Sequence, residues 1–339
     1  MKAMLLNRLT QLEANSAPLE LASIAEPIPG ANDILIRVSA CGVCHTELDE
    51  IEGRMPPPRL PIVPGHQVVG RVAQAGKTFK VGERAGVAWI SSTCGRCSFC
   101  LRGDENLCAN FRATGRDTNG GYAEFIAVPE DFAFPIPDIF TDAEAAPLLC
   151  AGAIGYRSLR LAQIGDGQHL GLVGFGASAH LVLKLARHQY PHARICVFCR
   201  SESEQAFARE LGAEWAGDVE AESPAKLNAI IDTTPAWKPI VHALANLAPG
   251  GRLVINAIRK EPIDQDTLAQ IDYPKHLWME KEIKSVANVT RRDVSEFLEI
   301  AARIPLKPEL QEFALGDANQ ALWELKMRRI RGAKVLRID

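Results

Sequence analysis

The first half of the chain reads as short apolar runs punctuated by Gly and Pro. Asp33-Ile-Leu-Ile-Arg-Val-Ser39, Val68-Val-Gly-Arg-Val72 and Tyr122-Ala-Glu-Phe-Ile-Ala-Val128 are rich in β-branched residues, which predicts strands joined by turns. From about Gly165 the pattern changes. His169-Leu-Gly-Leu-Val173 predicts a short strand, and Ala179 to His188 predicts a helix with Leu181, Val182, Leu185 and Ala186 on one face. Arg194 to Cys199 is the next strand, and Ser203 to Leu211 a helix stopped by Gly212. Strand Ala229–Asp232, helix Pro239–Leu247 and strand Arg252–Ile255 continue the series. Such alternation means a parallel sheet with crossover helices. The end changes style again, to helices near Val294–Arg303 and Ala318–Arg328 and a last strand from Ala333 to Ile338.

The loop opening the α/β series, Gly174-Phe-Gly176-Ala-Ser-Ala179, has the form G-x-G-x-x-A between a strand and a helix. The first Gly permits the tight turn, the second lets a pyrophosphate approach the backbone, and the small third residue lets helix and strand pack closely. The helix N-terminus then presents free N–H groups to the phosphates. This context predicts dinucleotide binding, with Gly174, Gly176 and Ala179 in contact or support. An acid at the end of the second strand would accept bonds from the ribose hydroxyls of NAD. Here Cys199-Arg200-Ser201 stands there. Arg200 offers a cation to a 2′-phosphate and Ser201 a hydroxyl, so NADP(H) is favoured over NAD(H).

Chemistry of another kind lies upstream. Cys94-Gly-Arg-Cys97-Ser-Phe-Cys100, closed by Cys108, places four thiols within fifteen residues. Four thiolates suit a closed tetrahedral zinc site of structural type, and soft donors exclude Mg and Ca. A C-x2-C-x2-C run also occurs in iron–sulfur proteins, but the last gap of seven and the missing Pro after Cys108 weigh against a cluster. Two disulfides are the other reading, which the lack of a secretory opening disfavours. A second set is Cys41-Gly-Val-Cys44-His45-Thr46, His66 in Pro64-Gly65-His66-Gln67, and Cys150 in Leu148-Leu-Cys150-Ala-Gly152. Two cysteines and one histidine around zinc leave a position open for water or a substrate oxygen. Spacing alone does not choose between Cys41 and Cys44, and Cys41–Cys44 also fits a redox C-x-x-C.

Length and charge narrow the class. The 339 residues suffice for two domains. A formal net charge of −3 gives no reason to expect nucleic acid or anionic membrane as a partner. No apolar run reaches the length of a membrane span, and Met1-Lys-Ala-Met-Leu-Leu6 turns polar without a long apolar core. The expected location is the cytoplasm.

Taken in order, Cys-Gly-Val-Cys-His-Thr, Gly-His-Gln, the four-cysteine run, Cys-Ala-Gly and G-x-G-x-x-A resemble the zinc-dependent alcohol dehydrogenases of the medium-chain dehydrogenase/reductase family, essentially end to end. The resemblance, not the spacing, implies that Cys44, His66 and Cys150 hold a catalytic zinc and that Cys94, Cys97, Cys100 and Cys108 hold a structural one, two zinc ions per chain. It implies that Cys41 is a packed residue and that Thr46 bonds the substrate oxygen. His45 and Arg291 would contact the cofactor pyrophosphate, and Trp89 would line the substrate pocket. The fold it implies is α/β: a GroES-like β-rich catalytic domain of residues 1–146 and 286–339, with the structural zinc lobe near 90–112, plus a Rossmann doubly wound parallel-sheet domain of 147–285, the site lying in the cleft. The reaction implied is hydride transfer between a small alcohol or aldehyde and NADP(H) or NAD(H), with zinc as Lewis acid. The resemblance also implies a homo-oligomer, tetramer over dimer, as is common among the family's shorter members.

Two positions depart from the family. Gln67 stands where Gly-His-Glu is usual, making the field at the metal less negative. Asp49 stands where a histidine often passes the alcohol proton to solvent, and a carboxylate there can accept a proton through Thr46. The runner-up readings are a polyol or formaldehyde-type dehydrogenase on the same scaffold and a non-catalytic zinc-stabilised nucleotide binder.

Overall fold

A computed structural model describes residues 1–14, 16–329 and 331–338. The chain divides into two compact units, Met1–Ala153 with Val289–Asp339, and Ile154–Asn288. These divisions fall a few residues later than the bounds expected from the resemblance, and the first unit therefore contains Cys150 as well as Cys44 and His66.

The first unit is built on a seven-stranded sheet. Its order is Leu310–Ala314, Ala333–Arg337, Asp33–Val43, Val68–Gln74, Arg84–Val87 and Ala133–Pro135, with Phe125–Pro129 also pairing with Asp33–Val43. Only the first pair is parallel. Asp33–Val43 is the spine. Buried and more exposed positions alternate from Asp33 to Ser39, as expected for a strand with one covered face. Ala40 to Val43 are then all buried. The strand thus runs into the interior and delivers Cys44 there. Its register against Val68–Gln74 slips at Leu35/Ile36 and Val38/Ala40, irregularities that bend a strand. Ile34, Ile36, Val38, Val68, Val72, Tyr122 and Leu336 belong to the core over which these strands close. Lys334 is fully buried in the sheet, its ammonium held by Gln311 and by Glu324 at 2.7 Å, over the Phe313 ring.

The second unit is a six-stranded, wholly parallel sheet ordered Trp215–Gly217, Arg194–Phe198, His169–Val173, Leu227–Asp232, Leu247–Ile255 and Glu282–Ser285. Helices Ala177–Gln189, Glu202–Glu210 and Lys238–Asn246 make crossovers. The strand order reverses on either side of His169–Val173, the doubly wound arrangement that opens a crevice at the strands' carboxyl ends. Leu170 to Val173 are all buried, as both-face coverage demands.

Among the elements that the sequence pattern did not anticipate are helix His45–Ile51, helix Asp142–Pro147, and helix Ala153–Ala162, which is reached through a π-turn at Leu148–Gly152.

Candidate active site

Cys44 stands at the turn from strand Asp33–Val43 into helix His45–Ile51, with extended φ −130° and ψ 163°. Three residues on, Glu47 folds back. One carboxylate oxygen accepts the Cys44 N–H at 2.7 Å, and the other lies 2.6 Å from His66 Nδ1. Glu47 is fully buried and so is His66. A carboxylate fixing Nδ1–H sets the tautomer that leaves the Nε2 lone pair free. That Nε2 lies 3.1 Å from Cys150 Sγ. Gly65 delivers His66: its φ is +96°, and a Cβ there would come within 2.3 Å of the Tyr122 ring. Cys150 sits in the π-turn, a helical distortion frequent at functional sites. Cys44 Sγ, the His66 ring and Cys150 Sγ supply ligand atoms all within 4.8 Å of one another, and no fourth His, Cys, Asp or Glu joins them among the described residues. Thr46 places its hydroxyl 3.6 Å from Cys44 Sγ.

The electrostatics suit a cation. Cys44 is held well below the ordinary thiol range, first by a hydrogen bond from Cys150, whose own thiol is correspondingly raised. Burial disfavours imidazolium at His66, but the Glu47 carboxylate and Cys44 together outweigh it and raise its pKa well above the usual value. The pocket is thus rich in negative charge held close to two thiols and an imidazole.

Cys94, Cys97, Cys100 and Cys108 also bring their sulfurs within 4.8 Å of one another. Cys97 and Cys100 Sγ are 3.5 Å apart, and Cys94 and Cys100 Sγ 3.9 Å. These are not disulfides, which need about 2.05 Å. They match the edge of a tetrahedron of sulfurs around a centre about 2.3 Å away, roughly 3.8 Å. Backbone amides of Cys97 and Asn110 donate to the Cys94 and Cys108 sulfurs at 3.3 Å.

In the second unit Gly174 has φ +80° and a Cβ there would meet Thr233 Oγ1 at 2.7 Å, so the turn is closed to larger residues. A Cβ at Gly176 would meet nothing within 4 Å, leaving space for a ligand's phosphates beside the start of helix Ala177–Gln189. Ala179 is fully buried against the sheet. At the end of the next strand Cys199, expected beside the cofactor, packs in the interior, and burial pushes its thiol up to about 12. Ser201 is the N-cap of helix Glu202–Glu210: its hydroxyl accepts the Glu204 N–H at 3.2 Å and bonds the Glu204 carboxylate at 2.9 Å. Ser-x-x-Glu is a capping-box signature, and it competes with the phosphate role expected of Ser201. Arg200 is exposed.

Residues 30–138 match the family model described as "Alcohol dehydrogenase GroES-like domain". Over 332 residues, 96% of this chain and 94% of the relative, the chain is 42% identical to the "Probable alcohol dehydrogenase AdhA" of Mycobacterium tuberculosis. The chain belongs to the alcohol dehydrogenases of the medium-chain dehydrogenase/reductase family. It is also 31% identical to an alcohol dehydrogenase of Geobacillus stearothermophilus, over 94% of this chain and 96% of that one. A solved cinnamyl alcohol dehydrogenase from Sorghum bicolor superposes with a TM-score of 0.88 at 28% identity, covering 99% of this chain and 97% of that one.

Within this dehydrogenase several expected residues stand elsewhere than the resemblance implied. Asp49, expected in a proton relay, is buried and pairs with Arg54 Nε at 2.7 Å. Arg291, expected on the pyrophosphate, lays its guanidinium along Glu105, Nη2 to Oε2 at 2.8 Å and Nε to Oε1 at 3.0 Å, and over the Phe132 ring. Glu105 lies between Cys100 and Cys108, so this pair ties helix Arg291–Arg303 to the four-cysteine lobe. Trp89 is half-buried, its ring 5.2 Å from Phe111, and its indole N–H is buried without a partner. His45 is exposed. Cys41 is buried, outside both ligand groups, and burial pushes its thiol up. Gln67 is buried, its side chain against Gly42 and its carbonyl accepting the Gly42 N–H at 2.9 Å. The residues missed were Glu47 and Glu50. Glu47 carried a signal: an acid three positions after a helix cap.

Proposed function

We propose that this chain is a zinc-dependent alcohol dehydrogenase that moves hydride reversibly between a primary or secondary alcohol and NADP(H), the reverse reaction reducing an aldehyde or ketone. The observation that supports it most is the buried trio Cys44, His66 and Cys150, with His66 oriented by Glu47 and no fourth donor of these types among the described residues. Two sulfurs and one imidazole nitrogen are the donor chemistry of zinc, and three protein donors mark a catalytic site. Bound there, zinc would supply Lewis acidity that eases ionisation of the alcohol or polarises the carbonyl. Cys94, Cys97, Cys100 and Cys108, with four donors, would hold a second, structural zinc.

The chain's own residues do the rest. Glu47 keeps the Nε2 of His66 available. Thr46, beside Cys44, holds its hydroxyl where a substrate oxygen enters and shuttles its proton. Gly174 and Gly176 give backbone access to the cofactor pyrophosphate, and the nicotinamide supplies the hydride chemistry. With Ser201 committed to its helix cap, Arg200 alone would favour the 2′-phosphate of NADP(H). The name of the sorghum relative puts cinnamyl alcohols first among substrates to try. Family membership extends the proposal to a cytoplasmic homo-tetramer; among the described residues no helix is long and apolar enough to cross a membrane.

The test is loss of NADPH and NADH absorbance with a panel of aliphatic and aromatic aldehydes, alongside metal analysis. Turnover by protein carrying two zinc ions per chain supports the reading. Inactivity of fully zinc-loaded protein with every aldehyde and both cofactors would sink it.

A further inference from the structure

Helix His45–Ile51 and the residue after it carry four buried acids, and three are committed. Glu47 serves His66 and Cys44, Asp49 serves Arg54, and Glu52 takes Lys326, Arg54 and the Leu12 amide. Glu50 is different. It is 1% exposed, and neither carboxyl oxygen has a hydrogen-bond partner. A buried polar group left unpaired calls for ordered water or a functional role. At about 100° per residue, Glu50 projects between Thr46 and Glu47, roughly 40° from Thr46 and 60° from Glu47. It therefore shares the helix face that carries the substrate-side hydroxyl and the His66 carboxylate.

Among the other buried polar atoms of this unit without a partner are the Tyr122 hydroxyl and Arg116 Nε. Both interact electrostatically with Glu50. The Tyr122 ring also packs against Gly65, the residue before His66. Three orphaned buried polar groups that act on one another electrostatically, one of them acting also on His66, are groups for which water supplies the missing partners. The groups that act on Glu50 are known. Burial, Glu47 and Cys44 hold its carboxyl well above the usual carboxylate range, against His66 and Arg116.

We propose that Glu50 exchanges the substrate proton, acting through ordered water and the Thr46 hydroxyl, in the role that the sequence suggested for Asp49. The proposal rests on the alcohol dehydrogenase reading above. In carbonyl reduction the carbon receives hydride from the reduced nicotinamide. Thr46 gives its hydroxyl proton to the substrate oxygen and regains one from water, and the Glu50 O–H bond breaks to resupply that water. The carboxylate left behind faces Arg116 until solvent returns a proton. Alcohol oxidation runs the same transfers backwards. Glu50 touches no substrate and is a positioning residue for the proton.

The test uses the zinc-loaded full chain and Glu50→Gln. The kcat for aldehyde reduction should fall about a hundredfold, the lower end for proton transfer by a placed side chain, with KM little changed. The alkaline decline of kcat should disappear, because Gln has no proton to lose. The infrared carbonyl band of a neutral, unpartnered carboxylic acid should be present in the unmutated protein and absent from the variant, at unchanged zinc content. Glu50→Asp should recover part of the rate with a displaced alkaline limb, and it carries the test if Glu50→Gln does not fold. An unmoved pH profile in either folded variant, or no such infrared band, overturns the proposal. Absence of all turnover in the unmutated protein would instead sink the dehydrogenase reading, and the infrared band would still decide the state of Glu50.

Discussion

Replacing Glu47 by Gln tests the centre with the least change of shape. Both partners of this carboxylate are donors: the Cys44 N–H at 2.7 Å and the His66 Nδ1–H at 2.6 Å. A carboxylate accepts on both oxygens, whereas an amide has one acceptor and one NH2 group. The amide of Glu47→Gln can therefore satisfy one partner only, and its NH2 must face the other donor. A hydrogen bond to a charged group contributes about 1.5–3 kcal/mol, and about 1.4 kcal/mol is tenfold in affinity. Zinc at Cys44, His66 and Cys150 should thus bind roughly ten- to a hundredfold more weakly, the range that loss of a ligand's carboxylate partner usually brings. The assay is zinc competition against a chromophoric chelator on the whole chain. The four-cysteine site is the internal control, since the two Glu47 bonds go to Cys44 and His66. Of two zinc-release steps, only the weaker should move. Two unshifted steps would show that Glu47 does not hold His66 in the metal-binding tautomer.

Four further outcomes are expected. Arg200→Ala should cut a preference for NADPH over NADH in kcat/KM by about one to two decades, the value of a charge-assisted contact; equal use of both cofactors by the unmutated enzyme would show that Arg200 points into solvent. Asp49→Asn should leave the pH–rate profile in place, because Arg54 already holds the carboxylate; a lost limb restored by small amine bases would return the relay to Asp49. Cys97→Ser should lower solubility and thermal stability and loosen the Arg291–Glu105 pair, since folding of such a lobe is coupled to its metal; an unchanged melting temperature would argue that the lobe folds without zinc. Burial raises the Glu52 pKa, but Lys326, the Leu12 amide and Arg54 together bring it below its ordinary 4.5. The stability it adds is therefore fully present above pH 4.5 and is lost as pH falls through the folded value, so Glu52→Gln should lower the melting temperature near neutral pH and flatten the acid side of the stability curve.

The parallel sheet was legible because its strands are short, apolar and spaced by helices: His169–Val173 stands where the pattern puts it, and helix Ala177–Gln189 extends the expected one only at its ends. Helix His45–Ile51 was not legible. Six of its seven residues are buried, and three of those are acids. Hydropathy reads such a stretch as solvent-facing, because the His66 and Arg54 partners that make burial tolerable come from outside the helix. The grouping of Cys44, His66 and Cys150 was legible only through the whole motif order. The π-turn that presents Cys150 has no period of its own to find. Asp49 and Arg291 were misplaced for one reason: a local motif fixes where a residue stands, while its ionic partner is chosen by the tertiary fold. Ser201 is the opposite case, since its capping-box spacing was present in the chain and competes with the phosphate role.

The place of Ala333–Arg337 in the first sheet sets an order of assembly. This strand lies between Leu310–Ala314 and Asp33–Val43, pairing Lys334 with Val43 and Leu336 with Cys41 across most of the length of the chain. It leaves the ribosome after every other strand described. Residues 154–288 form one uninterrupted stretch and can close their sheet during synthesis, as domains generally do. The unit that carries both cysteine clusters waits. Until its inserted strand arrives, the backbone of Cys41 to Val43 lacks its neighbour on that side, and Cys44 hangs from an unfinished edge. Nascent chains stalled before Ala333 should therefore show a protease-resistant core within 154–288, while the thiols of Cys44, Cys94, Cys97, Cys100, Cys108 and Cys150 stay open to alkylation.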